Sequence, residues 1–173
     1  MSDDLIVRIE NHVAVLTLNR PASYNALTDK LLAELPVVMK DVATNPDIGC
    51  VVLTGAGKAF CSGGDVTVQV SEAKKESKSS EERMDDLRGW VETARWLHEM
   101  PKPTIAMVNG VAAGAGMSLA LACDMRIAGK SARMTTAFAK VGFSGDCGGH
   151  YFLTRLVGTA KARELYFTSD ILN

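Results

Sequence analysis

The sequence predicts an α/β fold in a single domain spanning residues 1–173, and three observations carry that prediction. Apolar runs short enough for strands alternate several times with segments whose apolar residues recur at helical spacing, which argues layered helix and sheet and not a bundle or a sandwich. Two of the apolar runs end in turns of very small residues, Phe60-Cys61-Ser62-Gly63-Gly64-Asp65 and Asn109 to Gly116. The composition, 47% hydrophobic and 23% charged, is that of an ordinary globular chain with enough length for one real core.

Leu5 to Ile9 and Val13 to Leu18 read as strands joined through Glu10-Asn11-His12, a hairpin. Asn19-Arg20-Pro21 ends the second. Thr28-Asp29 offers a helix start, after which Leu31, Leu32, Leu35, Val38, Met39 and Val42 keep helical spacing. Pro36 lies inside that helix and is expected to remove one hydrogen bond and kink it. After the Asn45-Pro46-Asp47 turn, Cys50 to Thr54 is a buried strand, and Gly55 to Gly64 reads as a glycine-rich loop. From Val66 the chain becomes strongly charged, and Ser71 to Arg83 reads as a solvated helix face or a mobile loop. A helix follows over Met84–Glu99 with Leu87, Trp90, Val91, Ala94 and Leu97 on one side; Met100-Pro101-Lys102-Pro103 breaks it. Thr104 to Val108 is a second buried strand feeding the second glycine loop. A small-residue helix over Gly116–Ala122, a strand at Met125–Ala128, and two helical pieces, Cys147–Val157 and Thr159–Thr168, complete the chain.

Several function classes are excluded at this level. Net charge is −1 and no basic block is interleaved with aromatics, so nucleic-acid binding has no electrostatic basis. The acidic start Met1-Ser2-Asp3-Asp4 is unlike a secretory signal, and no window reaches the ~18 apolar residues of a membrane helix. Cys50, Cys61, Cys123 and Cys147 fit neither metal-ligand spacing nor a disulfide framework; they read as reduced thiols of a cytoplasmic protein, with no metal site.

The small-residue turns carry the chemistry. Backbone stripped of side chains at a strand end brings bare N–H groups close to a ligand. Two such turns facing one another can grip one carbonyl oxygen from both sides, which is an oxyanion hole.

At these residues the chain resembles the crotonase, or enoyl-CoA hydratase/isomerase, superfamily. The matching pieces are Asn19-Arg20-Pro21 with Asn25-Ala26-Leu27, Gly57 to Asp65, Lys102 to Ala106, Asn109 to Gly116, Ala122 to Ala128, and Leu156-Val157-Gly158 with Ala160 and Ala162. The resemblance implies a spiral of repeated β-β-α turns and a substrate held as a coenzyme A thioester, with no separate cofactor. It puts the two oxyanion donors at the backbone N–H groups of Gly64 and Ala115. The second of these lies at a helix start, where free N–H groups and the dipole favour negative charge. It further implies substrate or coenzyme A binding by Ser23, Tyr24, Ala26 and Leu27, with Ser62, Gly63, Asp65, Gly114 and Phe138, and with Asp65 bracing its loop. Relatives continue past Asn173 into helices that build a trimer or hexamer, so the C-terminal trimerisation helices are expected to be missing from this chain.

Stabilised enolates still need a proton carrier. The two glutamates of family hydratases fall at Ser118 and Phe138, and neither is acidic. Asp146 aligns with the aspartate that family isomerases use to move a proton along the acyl chain, and the segment Ala137 to Gly149 looks most like the branch acting on ring-epoxide phenylacetyl-CoA and enoyl-CoA isomers. Asp146 also precedes a helix and suits an N-cap, an alternative compatible with catalysis. Cys147, at a helix start, suits a lowered pKa, yet nothing else in the sequence suggests thiol chemistry. His98 and His150 read as structural, and the acyl tail is expected to run toward the charged stretch and the Met84–Glu99 helix. Isomerisation with Asp146 as shuttle is the favoured reading; hydration with atypical acid/base residues and a non-catalytic acyl-CoA binder are the alternatives.

Overall fold

The apolar runs assemble into two sheets. The computed structural model describes residues 2–65 and 79–173. In chain order the elements are β1 (Leu5–Glu10), β2 (Val13–Leu18), α1 (Asp29–Thr44), β3 (Cys50–Gly55), β4 (Ala59–Cys61), α2 (Ser80–Glu99), β5 (Thr104–Val108), β6 (Val111–Ala113), α3 (Ala115–Ala122), β7 (Met125–Ala128), β8 (Arg133–Thr135) and α4 (Gly149–Thr168), with short 3-10 helices at Pro21–Ser23 and Phe138–Val141.

β1 and β2 pair antiparallel from Leu5↔Leu18 to Glu10↔Val13. Asn11 and His12 between them both take positive φ, 50° and 64°, the backbone that a two-residue hairpin turn requires. Ala14, Leu16 and Leu18 are fully buried on one face of β2, the two-residue alternation of a strand. β2, β3, β5 and β7 then run parallel in the order β1-β2-β3-β5-β7, while β4, β6 and β8 form a second, all-parallel sheet. Each of β3-β4-α2, β5-β6-α3 and β7-β8-α4 sends its first strand to the larger sheet and its second to the smaller. This is the expected spiral of β-β-α turns.

The second sheet corrects the reading of Gly55–Gly64 and Asn109–Gly116 as loops, since β4 and β6 lie inside them, and β8 carried no expectation at all. Strands of three residues are too short to show alternation. β4 pairs with β6 across some fifty residues, Ala59↔Val111 and Cys61↔Ala112, and β8 joins through β6 at Val111↔Arg133.

Thr28 caps α1 by accepting from Leu31 N at 3.3 Å, and the helix runs uninterrupted through Pro36 with the expected leucine and valine face buried. α2 begins at Ser80, four residues before the expected Met84. Ser79 and Glu82 form a capping box, so the charged residues Ser79 to Arg83 are helix start, not loop. Residues 66–78, the rest of the charged stretch, lie outside the described residues. All eight residues of α3 are buried. In α4 the backbone leaves helical geometry at Gly158 (φ 79°, ψ 164°), which divides it into the two expected pieces; the first starts at Gly149 and not at Cys147.

α3 packs directly on β4 backbone. A Cβ on Gly116 would lie 2.1 Å from Cys61 O, a contact that only main-chain displacement relieves. Gly116→Ala is therefore expected to cost about 3 kcal/mol, read in thermal unfolding as a fall of roughly 10 °C in Tm.

Candidate active site

The first small-residue turn leaves β4 and docks on the segment that follows β2. Ser62 N donates to Tyr24 O (3.0 Å), Leu27 N to Gly63 O (2.8 Å) and Asp65 N to Leu27 O (3.0 Å). In this parallel bridge the residues flanking Gly64 make the bonds to Leu27. Successive peptide groups of an extended chain point to opposite sides, so the N–H of Gly64 itself faces away from Leu27. Arg20 braces the turn: its Nη1 donates to Ala26 O at 2.7 Å and pairs with Asp65 Oδ2 at 3.1 Å. Fully buried Asn25 adds bonds from its Nδ2 to Ala56 O and Ala59 O. Asp65 thus holds the loop, as expected of it.

The second turn leaves β6 through Gly114 (φ 53°, ψ −125°) and enters α3 at Ala115. Gly114 N donates to Thr135 O (3.1 Å), and the first bond of the helix runs from Ser118 N to Gly114 O (3.0 Å). Among the described residues neither Gly64 N–H nor Ala115 N–H has a protein acceptor. The turns abut: a side chain at Gly63 would stand 2.9 Å from Ala113 O and 3.4 Å from Ala115 N. Two unspent amides therefore sit on touching loops, one of them at the positive end of a helix.

Two cavities meet at this place. The first, about 510 Å³, is walled by both turns together with Ser23, Tyr24, Ala26 and Phe138. The second, about 280 Å³, reaches Leu27, Leu32 and the Leu87 and Trp90 side of α2. Gly64, Ala115, Phe143 and Asp146 belong to both. Asp146 thus belongs to the same wall as the two residues with bare amides.

Asp146 does not cap α4. Gly148 occupies the N-cap without a side-chain bond, and Asp146 contributes only its backbone carbonyl, to Gly149 N at 3.0 Å. Its Oδ1 is buried with no hydrogen-bond partner among the described residues. Burial holds its pKa above the ordinary aspartate range, partly offset by a hydrogen bond from the Cys147 thiol. The expectation of a lowered pKa at Cys147 is corrected: burial, then the neighbouring Asp146, push the thiol up, so it stays protonated. Tyr166, stacked parallel on Phe138 at 6.2 Å, has its phenol pushed up to about 12 by burial and by Asp146.

Most residues singled out in the sequence reach the first cavity: Ser23, Tyr24, Ala26, Ser62, Gly63, Gly64, Asp65, Gly114, Ala115, Phe138 and Asp146. Leu27 does not. It is buried, spends its backbone on Gly63 and Asp65, and turns to the second cavity. Ser118 is buried off both cavities, its Oγ bonded to Gly114 O at 3.3 Å. His98 packs edge-on against Phe152 at 5.0 Å, and His150 is exposed. Sequence reasoning passed over Val141 and Phe143, which line the first cavity while 55% and 57% exposed. Their signal was available: large apolar residues in a glycine-rich, otherwise polar connection. Among the described residues no cluster of His, Cys, Asp and Glu is placed to hold a metal, and no helix is long and apolar enough to cross a membrane.

Comparison with known proteins agrees with this architecture. The family model described as enoyl-CoA hydratase/isomerase matches residues 8–173. The 1,2-epoxyphenylacetyl-CoA isomerase of Escherichia coli (strain K12) is 39% identical over 173 residues, covering 100% of this chain and 65% of that protein. The short-chain-enoyl-CoA hydratase of Clostridium acetobutylicum is 37% identical over 169 residues, 97% of this chain and 62% of that protein. The crystal structure of an enoyl-CoA hydratase from Polaromonas sp. JS666 superposes with a TM-score of 0.88 at 33% identity, over 98% of this chain and 65% of that one. The chain thus spans somewhat under two thirds of the length of these relatives. With that family model matching residues 8–173 of the chain and the crotonase architecture in place, this chain belongs to the enoyl-CoA hydratase/isomerase family.

Proposed function

We propose that the chain is the site-bearing part of an acyl-CoA double-bond isomerase that works through a thioester enolate. One observation carries the reading: Gly64, Ala115 and Asp146 stand on the wall shared by both cavities. A thioester lying across that wall presents its carbonyl oxygen to the two amides and its acyl carbons to the carboxylate. Ionised Asp146 takes a proton from Cα of a 3-enoyl thioester, and the electron pair delocalises into the carbonyl as a dienolate. The two N–H groups stabilise the oxyanion. Protonated Asp146 then returns the proton to Cγ, leaving the conjugated 2-enoyl thioester with no net change in atoms. One carboxylate suffices, and it must be able to hold the proton between steps. An unpartnered oxygen in a partly dry site meets that need.

Hydration calls for a second acid/base group, and Ser118 and Phe138 supply none. The Ser23–Ala26 side of the first cavity is the place for the coenzyme A moiety, which enters as part of the substrate with no further cofactor. The cytoplasm and a trimeric or hexameric full-length protein complete the reading; these two rest on the family resemblance. The test is turnover of 3-enoyl-CoA against 2-enoyl-CoA. Net conversion of the 3-enoyl to the 2-enoyl isomer is the expected result. Water addition to 2-enoyl-CoA at a higher rate would make the chain a hydratase, and binding of both esters without turnover would make it an acyl-CoA binder.

A further inference from the structure

We propose that Tyr166 is a positioning residue: stacked on Phe138, it forms an aromatic spacer that sets where Asp146 stands relative to Ala115 and keeps the flanks of Asp146 dry. The proposal rests on the enolate reading above and deepens it, naming what holds the base against the oxyanion donor.

Contacts at three glycines are the first argument. A Cβ on Gly114, the residue before the Ala115 donor, would lie 3.6 Å from Phe138 Cε1. One on Gly145 would lie 3.5 Å from Phe138 Cδ2 and 3.1 Å from Tyr166 Cε1, and one on Gly149 only 2.7 Å from Tyr166 Oη. The two rings therefore reach from the second small-residue turn to the backbone on both sides of Asp146. They lie parallel within 2°, centroids 6.2 Å apart, which is the geometry of a stacked aromatic pair.

The frame that carries the rings is the second. Phe138 is buried and opens its 3-10 helix, while Tyr166 packs half-buried against the core from the second piece of α4. On either side of Tyr166, Leu165 O accepts from Thr136 Oγ1 at 2.8 Å and Ser169 O from Thr135 Oγ1 at 3.0 Å. Gly114 N donates to the carbonyl of the same Thr135 at 3.1 Å. The root of Tyr166 and the second turn thus share one anchor at the end of β8.

The surroundings of Asp146 are the third. Its titratable neighbours are Cys147 beside it, Cys61 beyond that on β4, and Tyr166 from α4; His150 meets Tyr166 edge-on at 6.5 Å. Asp65, paired with Arg20, lines the same first cavity. Burial keeps both thiols and the phenol neutral, so apolar bulk around Asp146 governs its proton affinity. Water admitted there returns a carboxyl toward its ordinary range, and a misplacement of about 1 Å costs on the order of 10²-fold in rate.

The test compares Tyr166→Ala, Tyr166→Leu and Tyr166→Phe in the whole chain. Two readouts are taken: 3-enoyl-CoA turnover across pH, and the Asp146 carboxyl titration by NMR of carbon-labelled aspartate, assigned with Asp146→Asn. Tyr166→Ala is expected to lower kcat about 10²-fold with butanoyl-CoA binding retained. Its acid limb and its Asp146 titration should both move down toward the ordinary aspartate range. Tyr166→Phe gives back the ring without the hydroxyl and should restore both. Tyr166→Leu keeps apolar bulk at the root without the reach to Gly149, so it falls between, and it serves where the alanine variant does not fold.

A role in packing alone lowers the unfolding temperature and leaves the Asp146 titration in place; that result in the truncated variants overturns the proposal. Parent-like kcat in Tyr166→Ala overturns it as well. So does a Tyr166→Phe variant as impaired as Tyr166→Ala, because the hydroxyl and not the ring would then matter. A titration that moves in Tyr166→Ala, with no 3-enoyl-CoA turnover by the parent, supports the hold on Asp146 and removes the isomerase assignment.

Discussion

Asp146→Asn is expected to lower kcat for 3-enoyl-CoA isomerisation by about 10²–10⁴-fold, the usual worth of a positioned proton carrier, while saturated acyl-CoAs continue to bind. The amide keeps the shape of the side chain and cannot take up the proton. The pH dependence of the unsubstituted protein checks the same assignment. Asp146 acts as a base in the first step, so activity falls as pH drops through its pKa, and the acid limb lies above the ordinary aspartate range because burial raises that pKa. Stability runs the other way. Between the unfolded pKa and the raised native one, the native state binds more protons than the unfolded state, so stability declines as pH rises through that window. Above it the penalty of holding a buried charged carboxylate with one oxygen bare is complete. Asp146→Asn should therefore unfold at a higher temperature than the parent at neutral pH and lose that advantage in acid. An equally active variant would remove Asp146 from the mechanism, whereas one that lost stability at neutral pH would show that burial does not penalise its charged form.

Ala115→Pro is expected to lower kcat by about 10²–10³-fold, the cost of one oxyanion donor, with little effect on folding. Proline deletes the backbone N–H and nothing else that the helix uses. Ala115 is the first residue of α3, its N–H has no acceptor among the described residues, and the helix's own bonding begins at Ser118 N. Proline is well suited to that position. The measurement is the split between kcat and the affinity for a saturated acyl-CoA: loss of a donor that matters in the transition state falls on kcat, whereas a displaced turn weakens both. Retained kcat would show that negative charge does not gather at Ala115, and the enolate chemistry would need another origin.

How much of this was readable beforehand depended on how far apart the cooperating residues lie in sequence. The hairpin of β1 and β2 and the buried face of α1 follow from alternation and helical spacing within a dozen residues, and both formed where expected. Both small-residue turns were plain for the same reason. β4, β6 and β8 were not, because each is three residues long and exists through its neighbours in the second sheet. The start of α2 at Ser80 was hidden by its charge, although Ser79 and Glu82 have the spacing of a capping box.

The site divides along the same line. Local pattern pointed to glycine-lined strand ends as places for bare backbone donors, and the family resemblance, not composition, pointed to Asp146 as the carboxylate. Only the folded chain decided that Gly64 turns its N–H away from Leu27, that Asp146 leaves Oδ1 bare and does not cap α4, that Cys147 is held protonated, and that two cavities share one wall. Those outcomes depend on the direction of a peptide group, on desolvation and on the space between elements. All three depend on how segments far apart in sequence come together, as in the bridge from Leu27 to Gly64, and no short-range pattern encodes them.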